Sequence, residues 1–113
     1  MSTPEPNFAP IRKGLLEFLV LKIVGSQHVY VPDILRQLAA TQFATQEGTL
    51  YPLLSKLRRD ELVHYEWRES GSGPPRKYYH LTDAGRSYLR SLDDYWAQLN
   101  RTIDSLGRPP CSE

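Results

Sequence analysis

The residues best suited to chemistry in this sequence lie on one face of the stretch 45–60. They carry hydroxyl groups, positive charge or the minimal side chain of glycine, and at helical spacing they share one side: Gly48, Thr49, Tyr51, Ser55, Lys56 and Arg59. Hydroxyl groups donate hydrogen bonds to phosphate oxygens and base edges, and Lys and Arg neutralise phosphate charge. Free N–H groups near a helix start, beside a glycine that permits close approach, also favour a phosphate. Because a helix fits the major groove, this face is predicted to contact DNA.

The opposite face of the same stretch is apolar. Leu50, Leu53, Leu54 and Leu57 follow the i, i+3, i+4, i+7 spacing of a helix that buries one side. An outer face with Lys and Arg is also what an ordinary solvated helix carries, so the helix alone supports both interpretations. Tyr51 has two roles open to it as well, since it can contact DNA or pack on a neighbouring hairpin.

The start of this helix is ambiguous. Thr45 is the candidate N-cap. In a helix that is regular from Thr45, Pro52 loses the hydrogen bond to the Gly48 carbonyl and clashes with it. Either the regular helix begins nearer Gly48, with Pro52 in its first turn, or the helix is kinked at Pro52.

Two helices are predicted to precede this stretch. Residues 1–10 contain three prolines and are predicted to form a flexible arm. The segment 11–24 is apolar nearly all round, so a helix there must be covered on more than one side. In a short chain the cover is expected to come from a second subunit, and we assign Leu15 and Leu19 to that interface. A second helix is predicted to start near Tyr30 or Val31, with Pro32 in its first turn.

After residues 45–60 the apolar residues alternate instead of following a helical period. Residues 63–68 and 76–81 are predicted strands, joined by a loop rich in glycine and proline. Arg76 and Lys77 follow the loop directly and are predicted to lie over the minor groove or its phosphates. Three helices followed by a hairpin with a basic tip is the order of a winged helix-turn-helix.

A long helix is predicted from residue 83 to about residue 106, with Thr82 as its N-cap. Its apolar residues repeat at spacings of three and four, like a coiled-coil seam: Leu89, Leu92, Trp96, Leu99, Ile103 and Leu106. Burying each large side chain is worth roughly 1.5–3 kcal/mol. Since the helix outreaches a small core, its partner is expected to be its own copy in a C2 homodimer.

Trp96 supports two interpretations. As a seam residue it belongs to the packed core of the dimer. Alternatively, two copies flank a cavity at the dimer centre and stack on a flat aromatic effector, with Phe18 and Tyr95 as further lining residues.

The composition excludes several classes of protein. The chain has 113 residues, which suits one domain, and a formal charge of +1, so any DNA contact must use a local basic patch. No apolar run approaches the roughly 20 residues of a membrane span, and the start does not resemble a signal peptide. With Cys111 as the one cysteine, an intrachain disulfide is excluded, and a cytoplasmic protein is predicted. Cys111 is either incidental or a site of oxidation or intersubunit disulfide formation.

The sequence contains little that is suited to catalysis or metal binding. His28, His64 and His80 are dispersed, and their spacing to other ligand types does not match a metal site. His64 and His80 can face each other across the hairpin. No catalytic triad or phosphate-binding glycine loop is present either, so we predict no enzyme activity, no metal and no cofactor.

Two motifs resemble the PadR family of bacterial transcriptional regulators. They are residues 48–54, Gly-Thr-Leu-Tyr-Pro-Leu-Leu, and residues 73–86, Gly-Pro-Pro-Arg-Lys-Tyr-Tyr-His-Leu-Thr-Asp-Ala-Gly-Arg. The resemblance covers about residues 14–106 and is greatest for the short members with a single C-terminal helix. It implies a homodimer that represses promoters and is often released by a small molecule such as a phenolic acid or drug. The chain departs from the family at residues 28–33, and Pro74 replaces a common wing arginine.

Together these patterns predict a mainly α (α+β) fold, a winged helix-turn-helix followed by a long dimerisation helix. The predicted divisions are 1–10 (arm), 11–82 (DNA-binding domain), 83–106 (dimerisation helix) and 107–113 (tail). The predicted function is a dimeric, sequence-specific repressor of a pseudo-palindromic double-stranded operator, released by a small aromatic effector. The rival hypothesis is a winged helix that binds another protein instead of DNA.

Overall fold

The computed structural model describes residues 7–109, which form four helices and one antiparallel hairpin within that range. In chain order the elements are α1 (Ala9–Ser26), α2 (Val31–Ala39), α3 (Glu47–Arg59), β1 (Val63–Arg68), β2 (Arg76–Leu81) and α4 (Asp83–Ser105). The winged helix-turn-helix with a long C-terminal helix is confirmed. Most of the predicted arm, residues 1–6, and Cys111 lie outside the described residues.

The core lies where α1, α2, α3 and the hairpin meet. Its buried hydrophobic members come from every one of these elements: Val20, Leu21, Val24, Val29, Val31, Ile34, Leu38, Leu50, Leu54, Leu57, Val63, Tyr79 and Leu81. Three of the four stripe leucines of α3 are buried, and Leu53 is half-buried against them. The apolar face of α3 is therefore fully used in holding the helix to the domain.

α1 is longer than predicted at both ends. It begins at Ala9 instead of Ile11, because Pro10 falls in the first turn, where its missing N–H is not required. The Ala9 N–H is bound by Asn7 Oδ1 at 3.1 Å. At the other end the Ser26 hydroxyl donates to the Ile23 carbonyl at 2.7 Å.

The start of α3 differs from the prediction. Gln46, and not Thr45, is the N-cap, and its carbonyl accepts from the N–H groups of Thr49 and Leu50, both at 3.0 Å. The helix begins at Glu47 and continues without interruption to Arg59, so Pro52 is its sixth residue and lies in the second turn. Of the two alternatives, a start close to Gly48 is therefore correct, but Pro52 lies one turn further into the helix than that alternative places it.

The hairpin is fixed to the helices at its β2 edge. β1 and β2 pair in the register Val63↔Leu81 through Arg68↔Arg76. Beyond β2, Val29 adds an antiparallel bridge with Tyr79, through hydrogen bonds of 3.1 and 2.6 Å. Tyr79 is buried and Tyr78 is half-buried, so the two tyrosines face opposite sides of the strand as predicted. The wing is thus tied to the turn between α1 and α2.

α4 leaves the core from a tight joint at its first turn. Thr82 is the N-cap, and its hydroxyl accepts from the Gly85 N–H at 2.9 Å and donates to the Glu61 carbonyl at 2.6 Å. The Thr82 N–H donates to the Leu62 carbonyl at 3.1 Å. Beyond this joint only the N-terminal half of the seam packs on the core, through Leu89 and Leu92.

Candidate nucleic-acid interface

The outer face of α3 is open to solvent. Five of its six predicted DNA-contacting residues are exposed and lack a side-chain partner among the described hydrogen bonds and salt bridges: Gly48, Thr49, Tyr51, Ser55 and Arg59. The first N–H groups of α3 lie at its N-terminus, close to Gly48 and Thr49, and have no intrahelical partners there. Because the buried leucines fix the opposite side, this donor-rich surface is presented rigidly.

Lys56, the sixth predicted residue, has acidic partners. Its Nζ donates to Glu17 Oε2 of α1 at 3.2 Å and lies 3.8 Å from Asp60 Oδ2. The hydrogen bond to Glu17 raises the pKa of the Lys56 ammonium above its ordinary value. Lys56 is therefore fully charged, but it is directed toward α1 and its charge is partly neutralised.

The two wing cations rest on aromatic rings. The Arg76 guanidinium lies 4.9 Å from the centre of the Tyr30 ring. Lys77 Nζ lies 4.4 Å from the centre of the Tyr65 ring and 5.6 Å from that of Trp67. These cation–π contacts hold Arg76 against the start of α2 and Lys77 against β1, at the end of the strands next to the hairpin loop.

A cleft between α2, α3 and the hairpin joins the wing to the outer face of α3. It has a volume of about 210 Å³ and is lined by aromatic, apolar and cationic residues: Tyr30, Val31, Pro32, Tyr51, Trp67, Arg76, Lys77 and Tyr79. Three predicted DNA-contacting residues, Tyr51, Arg76 and Lys77, are thereby brought together. Tyr51 keeps 45% of its surface exposed while it lines the cleft, so its two predicted roles are compatible.

Sequence reasoning missed two residues at this surface. Arg58 lies with its guanidinium 4.7 Å from the centre of the Tyr65 ring, which links α3 to β1. Trp67 pairs with Lys77 across the hairpin and keeps 61% of its surface exposed. The hairpin register, which follows from the two predicted strands, was the signal that would have placed Trp67 beside Lys77.

A second, larger groove runs between α1 and α4. Its volume is about 500 Å³, and its lining is mainly apolar: Leu15, Phe18, Leu19, Lys22, Gln42, Phe43, Asp93 and Trp96. Two of the predicted effector residues, Phe18 and Trp96, share this groove, whereas the exposed Tyr95 is not among the lining residues. One salt bridge, from Lys22 Nζ to Asp93 Oδ1 at 2.9 Å, lies beside it.

The distal half of the predicted seam is largely uncovered by the rest of residues 7–109. Trp96, Ile103 and Leu106 are exposed, Ile103 by 59%. Leu99 between them is half-buried. A row of apolar side chains on one face of a projecting helix is the kind of exposed patch that marks an interaction site.

The three histidines, dispersed in sequence, meet on the outer side of the hairpin. The His80 ring centre lies 5.1 Å from that of His28 and 6.2 Å from that of His64. Burial lowers the pKa of His80, so its imidazole favours the neutral form. Within residues 7–109 no group of three or more His, Cys, Asp or Glu side chains is arranged to hold a metal ion. In the same range no helix is both long and apolar enough to cross a membrane.

Comparison with known proteins gives one consistent result. Residues 20–91 match the sequence profile of the transcriptional regulator PadR-like family. A solved PadR-like transcription factor from Bacteroides fragilis is 42% identical, over 88% of this chain and 96% of that one, with a TM-score of 0.77. A PadR-like transcriptional regulator from Bacillus cereus is 31% identical, over 89% and 99% of the two chains, with a TM-score of 0.80. An uncharacterised protein from Lysinibacillus sphaericus is 28% identical over 97 residues, 83% of this chain and 89% of the relative.

Proposed function

Since this chain belongs to the PadR-like family of transcriptional regulators, we propose that it is a homodimeric repressor that binds a pseudo-palindromic operator in the cytoplasm. In this proposal α3 of each subunit enters the major groove, and the hairpin contacts the flanking backbone. The two half-sites then lie about one helical turn, roughly 34 Å, apart.

One observation carries the DNA-binding assignment. The outer face of α3 presents exposed hydroxyl and cationic groups, and Tyr51 on that face shares a cleft with the wing cations Arg76 and Lys77. Helix and wing therefore adjoin through Tyr51 and together offer hydroxyl and cationic groups, even though the whole chain carries a formal charge of only +1. A protein-docking face would be expected to be depleted of charged residues at its centre, whereas the leucines of α3 pack on the core and Arg59 is exposed on the outer face.

The proposed dimer is supported by two apolar surfaces that the part of the chain described by the structure leaves open to solvent. One is the groove between α1 and α4, which Leu15 and Leu19 help to line. The other is the distal seam of α4, with Ile103 and Leu106. A C2 axis can pair the distal seam of one subunit with that of the other and bring the two grooves to the dimer interface.

Salt dependence tests the proposed function. A DNA duplex selected from a random library by the wild-type protein is the probe, and binding is followed by fluorescence anisotropy. If about four cations per subunit meet phosphates, the slope of log K against log salt is about −7, so affinity falls roughly 10⁴-fold between 50 and 200 mM salt. Replacing both Arg59 and Lys77 by alanine is expected to reduce the slope to about −4.

The matched control removes two other cations. Arg90→Ala with Arg101→Ala changes exposed α4 residues that lie outside the seam, so the slope should stay at the wild-type value. A shallow slope in the wild-type protein, or equal slopes in both double variants, would favour the rival protein-interaction function.

Glu17 is expected to restrain Lys56. Because Glu17 directs the Lys56 ammonium toward α1, Glu17→Gln should free this cation and remove a nearby negative charge. An exposed pair of this kind is worth up to about 1 kcal/mol, so DNA affinity should rise about threefold at low salt. Asp94→Asn, which removes an exposed carboxylate from α4, should leave the affinity unchanged. Weaker binding by Glu17→Gln would show that the ion pair positions Lys56 for contact instead of withholding it.

We propose the groove between α1 and α4 as the site of a small aromatic effector that releases DNA. The support is its lining, which places Phe18 and Trp96 in one groove of about 500 Å³, a volume typical of ligand sites. In a Trp67→Phe protein, Trp96 is the one remaining tryptophan, and planar aromatic compounds are expected to quench its fluorescence. Quenching that persists in the Trp96→Phe protein and not in Trp67→Phe would place ligand binding elsewhere.

A further inference from the structure

Trp67 is a large apolar side chain that the fold of the domain leaves mostly exposed to solvent. It lies near the end of β1 and keeps 61% of its surface exposed, while the core is already closed by Val63, Tyr79 and Leu81. Exposed aromatic side chains of this size are concentrated at binding surfaces, because they gain apolar contact area at a small cost in side-chain entropy.

The surroundings of Trp67 combine apolar walls with fixed positive charge. Lys77 Nζ lies 5.6 Å from the centre of the Trp67 ring, and Arg76 lies over Tyr30 on another wall of the same cleft. All eight lining residues are apolar, aromatic or cationic, so the cleft wall of the described chain includes no carboxylate. Its occupant should therefore have both an apolar face and a negative charge.

The size and position of the cleft narrow the choice of occupant. Its volume of about 210 Å³ lies below the roughly 300–1,000 Å³ of sites for drug-sized ligands. The cleft is therefore too small to enclose a drug-sized molecule. One wall is Tyr51, which belongs to the outer face of α3. The cleft therefore borders the face that would contact a duplex, where the sugar–phosphate backbone beside α3 can reach it.

We propose that this cleft is a subsite for one deoxyribose–phosphate unit of the DNA backbone, with Trp67 against the sugar and Lys77 and Arg76 at the phosphate. The apolar C–H face of the sugar matches the indole, and the phosphate matches the two cations. The inference rests on the proposed function and extends it, because it gives the wing an uncharged contact in addition to its charges. Tyr30 is part of the subsite through the Arg76 guanidinium that it orients.

A salt titration distinguishes the uncharged contact of Trp67 from the contacts of the cations, because only the loss of a cation changes the salt slope. With a duplex selected from a random library by the wild-type protein, Trp67→Ala is expected to weaken binding about tenfold at every salt concentration, with the salt slope unchanged. Lys77→Ala should also weaken binding, but with a slope smaller by about two per dimer. Trp67→Phe, which keeps an apolar ring, should recover most of the lost affinity.

Tryptophan fluorescence gives a direct readout of the contact. In the Trp96→Phe protein, Trp67 is the one remaining tryptophan. Addition of the duplex is expected to protect it from quenching by acrylamide, with a stoichiometric end point.

The outcomes are distinguishable from failure of the proposed function. If wild-type protein binds the duplex with a steep salt slope but Trp67 stays equally accessible and Trp67→Ala binds within twofold of wild type, the subsite is wrong and the function stands. A smaller salt slope in Trp67→Ala would also overturn the contact, since Trp67 would then act only by positioning Lys77. If the wild-type protein selects no duplex at all, the proposed function itself fails.

Discussion

Replacing Gly85 by alanine is expected to lower the midpoint of thermal unfolding by about 10 °C or more. An added Cβ at this position would lie 2.0 Å from the Leu62 carbonyl oxygen and 3.3 Å from the Leu81 side chain. The carbonyl cannot yield easily, because it accepts the Thr82 N–H hydrogen bond at 3.1 Å. Overpacking of this kind costs typically 1–3 kcal/mol and more when backbone must move.

The effect should extend to α4, because Gly85 is part of the joint from which that helix leaves the core. The Gly85 N–H donates a hydrogen bond to the Thr82 hydroxyl, and that hydroxyl donates to the Glu61 carbonyl. Glu61 adopts a positive φ of 61° to make this turn. A shifted Leu62 carbonyl therefore disturbs the N-cap and the direction of α4 together.

Gly14→Ala is the matched control for this substitution. Gly14 also lies inside a helix, but an added Cβ would find open space among the described residues. Alanine there should stabilise the protein by roughly 0.5–1 kcal/mol, since glycine weakens a helix interior by that amount. Circular dichroism melts at one fixed protein concentration make the comparison. Equal melting of Gly85→Ala and wild type would mean that the joint is looser than these distances require.

The elements that could be predicted from sequence are those whose signals are local. The alternation in β1 and β2, and Thr82 as the cap of α4, depend on residues within a few positions of each other, and both predictions are confirmed. The N-terminal errors are local as well. The prolines of residues 1–10 suggest an arm, but Pro10 lies in the first turn of α1, a position that accepts proline. Gln46 caps α3 in place of Thr45, a residue type that is more common at N-caps.

The candidate site could be predicted only in part, because some of its contacts are not local. The outer face of α3 follows from the leucine stripe and is exposed as expected. The pairing of Lys56 with Glu17 joins residues 39 positions apart, and no periodicity in either helix indicates it. The meeting of His28 with His80 depends in the same way on the docking of the α1–α2 turn against β2.

The second large effect is expected from negative charge in the distal seam of α4. Ile103→Glu with Leu106→Glu should turn the protein into a monomer at micromolar concentration, as measured by light scattering. Both side chains are exposed in the protomer, so the fold of the single chain should be unaffected. The proposed dimer would then bury four carboxylates, two from each subunit, without partners. Desolvation would cost several kcal/mol of dimer stability for each buried charge.

DNA binding should fall with the dimer. A linked second half-site raises affinity by roughly 10²–10⁴ through effective concentration alone, and a monomer loses this gain although α3 and the wing are intact. Ala97→Glu with Gln98→Glu adds the same charge to exposed positions outside the seam of the same helix and should stay dimeric with wild-type affinity. If the seam variant remains a dimer, the apolar row serves another purpose. If it becomes a monomer that binds DNA as tightly as wild type, the affinity for an operator does not depend on the fixed spacing of two α3 helices.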